Sequence, residues 1–72
     1  MYLCVSGCEH RRNGQERFYH LNDGSTVLER CDLPDVARWQ CWDSHNHRVY
    51  KKSTQAAMKQ AAERHKKRFR YQ

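Results

Sequence analysis

Between residues 15 and 31 the apolar side chains come in short runs and not at helical spacing: Phe18, Tyr19 and Leu21 within 15–21, then Thr26, Val27 and Leu28 within 25–31. Aromatic and β-branched types in runs of this length favour strands, and each run is bounded by a turn signal. Asn13-Gly14 precedes the first run; both central positions of a type I′ turn need positive φ, which Asn and Gly tolerate best. Asn22-Asp23-Gly24 separates the two runs and suits a three-residue loop with its glycine in the left-handed conformation. With residues 8–12 as a first arm, the pattern predicts an antiparallel meander.

Residues 32–36, Asp-Leu-Pro-Asp-Val, suit a turn or one helical turn capped by Asp32, with Pro34 tolerated near its start. The next segment, 37–43, is ambiguous in period. A helix would put Trp39 and Trp42 on one face, a strand on opposite faces. The strand is preferred because Asp43-Ser44-His45-Asn46-His47 is turn-rich and 48–51, Arg-Val-Tyr-Lys, resumes a β-type run. Residues 53–70 then change character to Ala, Gln, Met, Lys, Glu and Arg, all good helix formers, with Ser53 or Thr54 as the expected cap. At about 100° per residue Met58, Ala61, Ala62, His65 and Phe69 form one stripe, which should face the sheet. Lys59, Lys66, Lys67 and Arg70 fall over the other side, with Arg64 and Arg68 on its flanks.

The expected fold is α+β: a small antiparallel sheet, meander plus hairpin, packed against one C-terminal basic amphipathic helix. It forms a single domain over 1–72, mostly β to residue 52 and helical over 53–71. A chain of 72 residues with 38% hydrophobic positions and a mean hydropathy of −1.19 builds only a thin core. A metal, a partner or an oligomer would help such a core.

Charge changes the picture most. Residues 1–50 hold six arginines against seven carboxylates, whereas 51–72 hold eight lysines or arginines against Glu63 alone. The net +6 therefore sits almost wholly in the last element. Basic last turns stabilise helices through the macrodipole by about 0.3–1 kcal/mol per charge, which accounts for one or two such residues but poorly for eight. The expected function is thus binding of a nucleic acid, DNA or RNA, without catalysis, through Lys59, Arg64, Lys66, Lys67, Arg68 and Arg70. Element order alone also gives a weak analogy to domains that lay a three-stranded sheet in the DNA major groove. Tyr19, Trp39, Trp42 and Tyr50, if any faced solvent, would stack on unpaired bases; otherwise they are core. The alternative is a regulator or inhibitor that docks its basic helix and aromatics on an acidic partner protein.

The first residues, Met1-Tyr2-Leu3-Cys4-Val5, lack the basic start and apolar stretch of a signal peptide, and no segment reads as a membrane span, so a cytoplasmic location is expected. Cytosolic thiols stay reduced, which favours metal ligation over disulfides for Cys4, Cys8, Cys31 and Cys41. Export by another route would instead allow two bridges, in three connectivities. Cys4 and Cys8 resemble the loose end of a zinc knuckle, with Gly7 permitting a tight turn. Cys41 and His45 are the second pair chosen to complete a tetrahedral zinc site, with His47, Cys31 or His10 as alternates. Ordinary buried thiols are the competing reading for Cys31 and Cys41.

For catalysis, the segment Asp43 to His47 carries the residue types of ββα-metal nucleases, and a hairpin followed by a helix would give their element order. His65 is the sole helical residue suited to the metal, and the remaining spacing does not match. No phosphate loop, nucleophile elbow or paired-carboxylate motif is present.

Overall fold

The computed structural model describes residues 3–69. Four strands, β1 (Val5–Arg11), β2 (Glu16–Leu21), β3 (Thr26–Arg30) and β4 (Trp39–Trp42), form one antiparallel sheet in sequential order. A single helical turn, α1 (Asp35–Arg38), leads into β4, and a long helix, α2 (Lys52–Phe69), lies across one face. The α+β architecture expected from the sequence is present.

Turn chemistry fixes the register. In the first loop Arg12, Asn13 and Gly14 all take positive φ, so the hairpin closes on Arg11 paired with Glu16, a wider loop than Asn13-Gly14 alone implies. The second loop is the expected three-residue one: the Leu21 amide donates to the Ser25 carbonyl and Gly24 has φ +91. Asp23 accepts from both the amide and the hydroxyl of Ser25, which locks the loop.

Strand alternation sorts the residues. Val5, Cys8 and His10 of β1, Arg17, Tyr19 and Leu21 of β2, Val27 and Glu29 of β3, and Trp39 and Cys41 of β4 share the face under α2. Tyr19, Leu21, Val27 and Cys41 join Met58, Ala61 and Ala62 of α2 in the buried core. The predicted helix stripe is therefore the packing face, with His65 half-buried against Tyr19 and Phe69 more exposed beyond it. Trp39 and Trp42 take opposite faces, as a strand requires. The face away from α2 bears Phe18, the buried Leu28 and Trp42, flanked by the ion pairs Arg11 to Glu9 and Arg30 to Glu16.

Three boundaries differ from expectation. Asp32 pairs with Arg30 and does not cap α1, which begins after Pro34 with no side-chain cap. Residues 48–51 form no strand: Asn46 at φ 66 turns the chain sharply, leaving one bridge, Arg48 to Trp42, before it departs for α2. Finally, α2 starts at Lys52, before Ser53 and Thr54, because the Gln55 amide donates to the Lys51 carbonyl and its side chain to the Val49 carbonyl.

The two borders of the sheet are unequal. Along β4, the Val49 amide donates to the Cys41 carbonyl, and Asp43 and His47 close the turn beside it. No strand lies beyond β1 among the described residues.

Candidate nucleic-acid interface on the C-terminal helix

Helical geometry divides the cations of α2 into two flanks and a ridge. Lys52, Lys59 and Lys66 recur every seven residues and so stand in one file, each about 10.5 Å from the next. This file borders β4: the ammonium groups of Lys59 and Lys66 each lie 5.6 Å from the centroid of the Trp39 ring. Arg64 and Arg68 take the opposite flank, over β1, where Arg64 donates to the Leu3 carbonyl at 2.9 Å. Lys67 stands between the flanks, fully outward. Arg70 lies outside the described residues.

Lys59 and Lys66 are thus half-buried against Trp39 and do not stand on the outermost face assigned to them from helical spacing. Lys66 is drawn inward by Glu29, which is wholly buried on β3. The Glu29 carboxylate accepts from Lys66 at 2.7 Å and from the Tyr19 hydroxyl at 2.8 Å, with Arg17 at 3.7 Å and Arg38 at 3.9 Å. Burial, reinforced by the anionic partner, pushes the Tyr19 phenol far above its ordinary range. Sequence reasoning passed over this network. The signal was there in the alternation, which places Glu29 on the same face as Val27 and so obliges it to find cations.

Most of the remaining carboxylates are taken up within the sheet and its loops, and Glu63 stands exposed on α2 itself. Glu9 pairs with Arg11, Glu16 with Arg12 and Arg30, Asp32 with Arg30, and Asp35 with Arg38. Lys51, Lys52, Lys67 and Arg68 have no carboxylate within ion-pair distance among the described residues. Arg68 is instead stacked on Phe69 at 5.6 Å.

The aromatics differ in exposure. Tyr19 is core and Trp39 stacks on it at 6.3 Å, whereas Trp42 is partly exposed on the face away from α2 and Tyr50 is largely exposed, with Arg48 over both rings.

The four residues chosen for zinc do not converge. Cys8 and Cys41 lie on the two border strands, three strand spacings or about 14 Å apart. Cys4 is exposed and Cys41 is buried in the core, where desolvation pushes its thiol pKa up. His45 sits in the turn after β4, its amide and that of His47 donating to Asp43 at 2.9 Å. His10 is the alternate that comes near a thiol, 3.7 Å from Cys8. Among the described residues no group of three or more His, Cys, Asp or Glu is placed to hold a metal ion. As for nuclease geometry, 48–51 supplies no second strand, and His65 packs edge-on against Tyr19, 6.0 Å between centroids. Desolvation, then Arg68, lowers the His65 pKa.

Fold and surface together define a small α+β protein, a four-stranded meander with a basic helix across one face. No family model, curated protein or solved structure matches the chain. No helix among the described residues is long and apolar enough to cross a membrane.

Proposed function

We propose that this is a small, non-enzymatic nucleic-acid-binding protein that holds the phosphates of DNA or RNA with the cations of α2. The observation that carries the reading is the segregation of charge in space. The arginines of the sheet spend themselves on its own carboxylates, while Lys51, Lys52, Lys67 and Arg68 remain exposed and without acidic partners among the described residues. A polyanion laid along α2 would exchange condensed counterions for these groups, so affinity should fall by roughly 0.7–0.9 log units per contact for each log unit of salt.

The test is a fluorescence-anisotropy titration of labelled DNA and RNA at two salt concentrations, with the Lys67→Glu/Arg68→Glu double variant beside the unaltered protein. Both positions are exposed, so folding should persist while binding at low salt drops at least tenfold and the salt slope shrinks by about two contacts. Lys66 is unsuitable for reversal because it also holds Glu29. Equal affinity of variant and parent would sink the reading. An acidic partner protein is the second reading, favoured by the border of β1, which no strand covers among the described residues and which lies beside Arg64, Arg68 and the half-exposed Phe69.

A further inference from the structure

A groove of about 290 Å³ runs between α1, β4 and the N-terminal half of α2. Trp39 lines it from the sheet, Val36 from α1, and Lys52, Ala56 and Lys59 from the helix. Its size lies at the bottom of the range for ligand pockets and suits one small planar group better than an extended molecule. Val36 is 98% exposed, an apolar side chain beside an aromatic ring with nothing over it. Lys52 and Lys59 stand two helical turns apart on the same wall. Groove, ring and paired cations together have the chemistry of a base flanked by its phosphates.

We propose that this groove receives one unpaired nucleobase of a single-stranded nucleic acid, stacked on Trp39 beside Val36, with Lys52 and Lys59 on the phosphates to either side. The inference rests on the phosphate-binding reading of α2 and narrows its ligand. In a duplex both faces of each base are already stacked, so only an unpaired base offers a face to the indole. The ammonium groups of Lys59 and Lys66 each lie 5.6 Å from the ring centroid; Lys66 is held beside it by Glu29, whereas Lys59 rides a long flexible stem with no carboxylate within ion-pair distance among the described residues. Stacking of a base is worth about 1–3 kcal/mol, more than a cation over a partly exposed ring, so the Lys59 ammonium swings outward to meet the phosphate. Asp35, 3.8 Å from Arg38, stands on the α1 side and keeps phosphates away from that wall. The strand is thereby held to the helix side of the groove.

Replacing Trp39 itself would disturb its packing on Tyr19, so the test leaves it in place. Trp42→Phe makes Trp39 the sole tryptophan. In that background Ala56→Leu puts a good helix former at an exposed position and fills the groove, while Val36→Asp alters the opposite wall at a fully exposed site. Folding of each is checked by circular dichroism. A short single-stranded oligonucleotide should quench Trp39 at saturation. Each variant should weaken single-strand binding about tenfold, and Ala56→Leu should leave the salt slope and duplex affinity unchanged. Unchanged Trp39 emission at saturation, or single-strand affinity equal to the Trp42→Phe parent in both variants, would overturn the base site. If anisotropy still reported salt-dependent binding, the phosphate reading of α2 would survive that failure. Absence of any binding at low salt would remove both.

Discussion

Glu29 is the residue on which the interior depends most. A buried carboxylate is tolerable only because Lys66, Arg17, Arg38 and the Tyr19 hydroxyl surround it. Glu29→Gln leaves these cations facing a neutral amide, and we expect a loss of about 3–5 kcal/mol in urea unfolding. Tyr19 supplies a separate test through pH. Its folded pKa is raised, by burial first and Glu29 second, so above about pH 10 the unfolded chain releases a phenolic proton that the folded chain retains. Its contribution to stability is therefore complete below pH 10 and is lost as pH rises further. Alkaline titration followed by phenolate absorbance should show Tyr19 ionising only as the protein unfolds, and Tyr19→Phe should lack that component. Both residues were legible to different degrees. From the sequence, Tyr19 stood open between core and base stacking and Glu29 was not singled out, although alternation puts both on one face; which cations reach Glu29 depends on how α2 crosses the sheet, and that is set by distant packing.

At the scale of elements, the turns carry the most local information. The loop from Asn22 to Gly24 formed as expected because its glycine alone accepts φ +91 without strain. A Cβ at Gly24 would also come within 3.2 Å of the Ser44 side chain, in the turn after β4. Gly24→Ala is expected to cost about 1–3 kcal/mol, measured as a lowered denaturation midpoint with an unchanged slope. The helix was equally plain, since Met58, Ala61 and Ala62 recur at the right period and are buried. Residues 48–51 misled because their composition suits a strand, whereas the left-handed Asn46 and the need to reach α2 carry the chain off the sheet. For the interface, spacing located the cations but not their neighbours. Lys59 and Lys66 lie at the edge of the packing stripe, where a small rotation of the helix decides between solvent and the Trp39 ring.

For the molecule as a whole, the cysteines report on integrity. Spacing alone brought Cys4, Cys8, Cys41 and His45 into one proposed zinc set; the sheet order that separates Cys8 from Cys41 is not encoded in any local pattern. Cys4 is exposed, whereas Cys41 is 2% exposed with its thiol pKa raised by desolvation. A thiol reagent should label Cys4 at once and Cys41 only at the rate of global opening, so mass spectrometry of the labelled protein would measure unfolding under native conditions. Immediate labelling of Cys41 would mean that α2 lifts from the sheet far more readily than its buried contacts imply. The unequal borders carry a last consequence. A sheet polymerises only if each unit offers two joinable edges, and here β4 is occupied alongside by the chain near Val49 while no strand covers β1 among the described residues. Edge-to-edge association through β1 would therefore stop at a pair, since two copies meeting β1 to β1 would consume that border in both.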